Sequence, residues 1–126
     1  MVSSNYRFTE KHEWVKLEKD VATVGISAYA VDELGEIVFV DLPEIGAEYE
    51  QMAEFGSVES VKTVSSLSLP ISGVILEINK ELLTTPDLIN NSAYEEGWLV
   101  KVKISDEKEV EDLMTYDEYQ LHLEAL

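Results

Sequence analysis

The segment from Glu54 to Ile78, "EFGSVESVKTVSSLSLPISGVILEI", most constrains the fold. Short β-prone runs follow one another there, punctuated by Gly56, Pro70 and Gly73. Such spacing predicts a small sandwich or barrel of short strands. Two of these runs meet at Val61-Lys62, where the usual Asn-Gly or Asp-Gly hairpin signal is absent. If the strands pair across that dipeptide, Ser60 faces Thr63 and Lys62 occupies the tip. The turn must then keep negative φ at both central residues. Turns of that kind splay hairpin strands, so packing elsewhere has to hold it.

The rest of the chain is consistent with a β-rich domain. "HEWVKLE" and "KDVATVGIS" alternate as two strands joined at Glu18–Asp20. "SAYAVDELGE" reads as a short helix, with Ser27 as N-cap and Gly35 as terminator. Its apolar face is Tyr29, Ala30, Leu34 or Ala30, Val31, Leu34. Ile37 to Leu42 is a strand closed by Pro43 and Gly46. Pro86 excludes a long helix between Lys80 and Gly97, and Asn90-Asn91-Ser92 favours turns. "WLVKVKIS" alternates again, with Lys101 and Lys103 on its outer face. From about residue 105 to 126 the tail reads as helical, first capped by Ser105, then by a capping box of Thr115 and Glu118. Val110, Leu113, Met114, Tyr119 and Leu123 are expected to pack on the sheet. One domain spanning 1–126 is expected from the length.

Composition narrows the function classes. The 26 acidic residues outnumber the nine basic ones, for a formal charge of −17. Phosphate backbones and anionic membranes are recognised by Lys and Arg, so neither is an expected partner. There is no cysteine, hence no disulfide or thiolate chemistry. His12 lies in a strand-like segment and His122 near the C-terminus, neither in a catalytic motif. No phosphate-binding glycine motif is present. The N-terminal "MVSSNYRFTE" lacks signal and transit patterns, so a cytoplasmic location is expected if this is the whole gene product, or the mitochondrial matrix if it is a processed eukaryotic form.

Lys62 stands apart because its neighbours are small or β-branched and Glu59, three residues before, is the nearest carboxylate in sequence. The residues alone leave two readings, a solvated loop lysine or an attachment point. "GSVESVKTVSS" resembles the lipoyl-lysine loop of the glycine cleavage H-protein family. "HEWV", "VATVGIS", "LGEIVFVDLPEIG", "PISGVILEIN" and "LINNSAYEEGWLVKVK" resemble successive blocks of that family, in order.

The resemblance implies a mainly β hammerhead, or barrel-sandwich hybrid, of short antiparallel strands with a short helix in the N-terminal half and C-terminal helices. It implies lipoic acid in amide linkage on Lys62, with Glu59, Ser60, Val61 and Thr63 as the loop recognised by a lipoate ligase or lipoyl transferase. The protein would be a monomeric carrier, not an enzyme. It would take an aminomethyl group from a pyridoxal-phosphate glycine decarboxylase to a tetrahydrofolate-dependent aminomethyltransferase, and a dihydrolipoamide dehydrogenase would reoxidise it. The resemblance also assigns Glu13, Ile26 and Ser66 to a cleft for the loaded arm. The family has an aspartate at the position of Ser66, so a charge is missing here. A lipoate relay to other enzymes, or an acidic interaction module without a prosthetic group, are the alternatives. Biotin carriers flank their lysine with Met, unlike Val61 and Thr63.

Overall fold

The computed structural model describes residues 3–126, arranged as two antiparallel sheets with short helices at their margins. The strands are β1 (Tyr6–Phe8), β2 (Glu13–Glu18), β3 (Val21–Ile26), β4 (Ile37–Asp41), β5 (Glu48–Tyr49), β6 (Glu54–Ser60), β7 (Val64–Ser68), β8 (Gly73–Ile78) and β9 (Val100–Ile104). The helices are α1 (Ala28–Leu34), α2 (Leu88–Asn91) and α3 (Tyr116–Glu124), and 3-10 turns at Lys80–Leu83 and Glu107–Asp112 precede α2 and α3. One sheet has six strands in the order β1-β2-β3-β9-β8-β5, and the other has three in the order β4-β6-β7. Both are open at their edges, so the mainly β expectation is met by a two-sheet arrangement rather than a closed barrel.

Alternation in the sequence becomes one buried and one exposed face. Val24, Val100 and Val102 from the larger sheet meet Val40, Val58 and Leu67 from the smaller one in a continuous core. Each such buried side chain stabilises the fold by roughly 1.5–3 kcal/mol relative to exposure. On β8 the alternation breaks. The register shifts between Ile75 and Glu77, which leaves Leu76 40% exposed and Ile75 buried. A bulge of this kind turns one residue out of its row. A second cluster of Tyr6, Phe8, Trp14 and Tyr119 lies beneath α3. There the Phe8 and Tyr119 rings stack at 4.5 Å. Gly25 lies opposite Trp14 on β2, and a Cβ at Gly25 would come 2.5 Å from the indole. The missing side chain is the space the indole occupies.

Several caps form where the local sequence signals them. Ser27 accepts the amide hydrogen of Ala30 and caps α1, whose buried residue is Val31. Thr115 and Glu118 form the reciprocal capping box of α3. Other expectations need correction. His12 is not in a strand but in the turn before β2, at φ 72°. Asn90 and Asn91 belong to the one-turn helix α2 rather than to a turn. The segment after β9 is a 3-10 helix, and its cap is Asp106, whose carboxylate accepts from the Lys108 amide at 3.0 Å, not Ser105. Ser105 instead gives its own amide to the Ser72 carbonyl at 2.9 Å, which extends the β8–β9 ladder by one bond.

Candidate functional site

Strands β6 and β7 form a hairpin whose loop is Val61-Lys62, with Glu59 opposite Val64 and Ser60 opposite Thr63. The Ser60 amide donates to the Thr63 carbonyl at 2.8 Å. The Ser60 hydroxyl oxygen accepts from the amides of Lys62 and Thr63, both at 3.1 Å. One side-chain oxygen thus satisfies the backbone donors that a glycine-containing turn would arrange otherwise. Ser60 is buried, so this oxygen sits inside the hairpin. Neither Val61 nor Lys62 has positive φ, as the absence of turn residues requires.

The support that such a turn needs comes from the link between α1 and β4. The Val61 amide donates to the Glu36 carbonyl at 3.0 Å. The Lys62 ammonium nitrogen, Nζ, donates to the Glu33 carbonyl at 3.2 Å, at the C-terminal end of α1 where backbone carbonyls lack helical partners. Gly35 ends α1 at φ 82° and ψ −152°, a region open essentially to glycine alone. A Cβ there would lie 3.0 Å from Lys62 Cε, so the lysine stem runs across a bare backbone. The ion pairs among the described residues are Lys16–Glu18 and Lys103–Asp20, and no carboxylate neutralises Lys62. Lys62, Thr63, Val61 and Glu59 are all exposed, and Phe39 of β4, 55% exposed, is the cross-strand neighbour of Glu59.

Glu13 and Ile26 are direct partners across β2 and β3, and both are buried. The Glu13 carboxylate accepts from the Thr9 hydroxyl at 2.6 Å and from the Ser68 amide at 3.1 Å. Burial raises its pKa, and the bonds from Thr9 and Ser68 and the charge of Lys11 counter the rise only in part. Ser66 lies on β7 opposite Ser57 and is exposed, away from the Glu13 carboxylate, which meets Ser68 instead. The structure therefore joins Glu13 to Ile26 and to the strand that carries Ser66, but not to the Ser66 side chain. Sequence reasoning missed Glu33, Glu36 and Ser68, which act through backbone groups and leave no residue-type signal. His12 has a structural role: Nδ1 lies 2.7 Å from the Tyr119 hydroxyl, and that hydroxyl lies 2.7 Å from the Ser27 hydroxyl.

The family model described as glycine cleavage H-protein matches residues 6–125. The chain belongs to the glycine cleavage H-protein family. The glycine cleavage system H protein of Staphylococcus epidermidis (strain ATCC 12228) is 53% identical over 118 residues, 94% of each chain. The protein of the same name from Halothermothrix orenii is 50% identical over 125 residues, 99% of this chain and 98% of that one. The crystal structure of a glycine cleavage system H protein from Mycobacterium marinum superposes with a TM-score of 0.87 at 34% identity, covering 99% of this chain and 100% of that one. Membership in the H-protein family therefore extends through both sheets and the C-terminal helix, not only through the lysine loop. Among the described residues no helix is long and apolar enough to cross a membrane.

Proposed function

We propose that this H-protein family member is a carrier whose Lys62 bears lipoic acid as an amide. It passes the aminomethyl group of glycine from a pyridoxal-phosphate glycine decarboxylase to a tetrahydrofolate-dependent aminomethyltransferase, and a dihydrolipoamide dehydrogenase reoxidises it. The observation that carries the reading is the placement of Lys62. Its amine lies at the tip of a braced two-residue turn, exposed, unpaired with any carboxylate and restrained only by one backbone carbonyl. A lysine so placed fits acylation, since a modifying enzyme reaches it without opening the fold. When bound, lipoate supplies a redox-active pair of sulfurs that this cysteine-free chain lacks.

The chain itself supplies position. Ser60 fixes the turn, Glu36 holds Val61, and the exposed Glu59 offers a carboxylate to a lipoate ligase or lipoyl transferase beside the amine. Acylation removes the charge of Lys62 and weakens its contact with the Glu33 carbonyl, which frees the side chain to sweep between partners. Tethering raises the local concentration of a carried group at each partner's site. Glu13 and Ile26, with Ser66 at greater distance, are the residues proposed to receive the loaded arm. The formal charge of −17 favours basic faces on protein partners over nucleic acid or membrane, and a monomer in the bacterial cytoplasm is the proposed working state.

Co-expression with a lipoate ligase tests the reading. Intact mass and a lipoate immunoblot are expected to report one lipoyl group on the wild type and none on Lys62→Arg. An unmodified wild type would refute it. With the modified protein, bicarbonate exchange by a glycine decarboxylase is expected to depend on Lys62.

A further inference from the structure

The segment that braces the lysine turn is itself held by a side chain far from it in sequence. The Asn90 side-chain oxygen Oδ1 accepts from the Ile37 amide at 2.9 Å, and its nitrogen Nδ2 donates to the Gly35 carbonyl at 2.8 Å. Only one orientation of the amide satisfies both groups, because one partner is a donor and the other an acceptor. Between them lies Glu36, whose carbonyl accepts from Val61. Ile37 is also the cross-strand partner of Ser60. Asn90 is carried by α2, and α2 is anchored by buried Ile89. A Cβ at Gly97 would come 2.8 Å from the Ile89 Cα, so α2 sits directly on the backbone and has little room to shift.

We infer that Asn90 is a positioning residue for acylation of Lys62. It fixes Gly35–Ile37, and through the Glu36 carbonyl it fixes the turn that presents the amine. It touches neither Lys62 nor the acyl group. The inference rests on the reading of Lys62 as the acylation site. Acylation forms a bond from Lys62 Nζ to an activated acyl carbon and breaks the bond from that carbon to its leaving group, which departs with the electron pair; two of the three ammonium protons pass to solvent and one stays on the amide nitrogen. The modifying enzyme has to bind the turn in one conformation. If that conformation is populated only in part, the apparent affinity falls by the populated fraction while the bond-forming step is unchanged.

The variants are Asn90→Asp, which keeps the acceptor for Ile37 but sets an oxygen against the Gly35 carbonyl, and Asn90→Ala, which removes both bonds. Two measurements are made on the full chain. The first is the rate of acylation by a lipoate ligase against carrier concentration, read by intact mass. The second is native-state hydrogen exchange at the Val61 amide, with the Val24 amide as a core reference. The expected result for both variants is a KM raised roughly fivefold or more with kcat retained. Protection at Val61 is expected to fall about tenfold with Val24 unchanged. Unchanged KM and unchanged Val61 protection overturn the inference, as does an equal loss of protection at Val61 and Val24, which marks general destabilisation. A wild type that the ligase does not acylate overturns the reading of Lys62 and, with it, the claim for acylation. A wild type that is acylated as readily as the variants overturns the Asn90 inference alone.

Discussion

The Tyr119 hydroxyl lies 2.7 Å from Nδ1 of His12, although 107 positions separate the two residues in the chain. The same hydroxyl lies 2.7 Å from the Ser27 hydroxyl. With a neutral imidazole accepting at Nδ1, the bonds run in one direction, from the Ala30 amide to Ser27, from Ser27 to Tyr119, and from Tyr119 to His12. The chain ties the N-cap of α1 and the turn before β2 to the C-terminal helix. Since α1 also carries the Glu33 carbonyl beneath Lys62, the C-terminal helix has a mechanical link to the lysine turn.

Tyr119→Phe keeps the ring stacked on Phe8 and removes only the hydroxyl. It leaves Ser27 Oγ, on a fully buried residue, with the Ala30 amide alone, and His12 Nδ1 without its partner. The expected cost is about 1–3 kcal/mol. Thermal unfolding is expected to show a midpoint several degrees lower; a midpoint equal to the wild type would mean the network contributes nothing. Burial also pushes the Tyr119 pKa up to about 12, so ultraviolet titration is expected to find one tyrosine that ionises last or only on unfolding.

His12 gives the same network a pH dependence. Burial lowers its pKa from 6.5, the charge of His122 lowers it further, and Glu33 works against both. A base whose folded pKa is depressed stays neutral in the native state while the unfolded chain takes up a proton. Its cost is therefore absent above pH 6.5 and grows as pH falls through 6.5 toward the folded pKa. Protonation also turns Nδ1 into a donor, so the Tyr119 hydroxyl accepts from His12 and donates to Ser27 instead. Asparagine tolerates the positive φ of this position, so His12→Asn serves as a non-titrating reference. The wild type is expected to lose more stability than His12→Asn as pH falls below neutrality, and a nuclear magnetic resonance titration of His12 is expected to give a midpoint below 6.5. Parallel stability curves would exclude a contribution from His12.

Much of this architecture was legible in the residues, and the reasons are specific. Ser27, Thr115 and Glu118 signal caps because each acts on a backbone donor a few positions away. The Val61-Lys62 loop was legible because its lack of glycine demanded an outside support. What supplies that support was not, since Glu33 and Glu36 act through carbonyls that every residue possesses. The bulge at Leu76 and the positive φ of His12 follow from tertiary packing, which periodicity does not contain. Asn90 read as a turn former because local preference says nothing of two backbone partners more than fifty residues away.

Glu13→Gln addresses the buried carboxylate between β2 and β7. Because burial raises the Glu13 pKa above 4.5, the ionised form is disfavoured in the native state. The stabilising contribution of the protonated form is complete below pH 4.5 and is lost as pH rises through the folded pKa. Glutamine does not titrate, so the wild type is expected to gain stability relative to Glu13→Gln on acidification from pH 7 toward 4. Denaturant unfolding at several pH values measures the difference. A constant difference, or one of opposite sign, would contradict the raised pKa.

Ser60→Ala isolates the turn itself. The hydroxyl accepts from the amides of Lys62 and Thr63, and alanine leaves both to water. The loop is exposed, so solvent replaces part of what is lost and the stability cost is expected to be about 0.5–1.5 kcal/mol. The consequence for presentation of the amine is larger than that figure suggests. Without the oxygen, Lys62 is held through Val61 and through its own contact with Glu33, and the tip samples several conformations. Ser60→Thr retains the oxygen and adds one methyl group within a buried position. Acylation of Ser60→Ala by a lipoate ligase is therefore expected to be several-fold slower at low carrier concentration and to recover in part at saturation, while Ser60→Thr stays closer to the wild type. Intact-mass time courses with thermal unfolding of the same samples separate the two effects. Equal acylation of all three proteins would mean that the bond from Ser60 stabilises the hairpin without orienting Lys62.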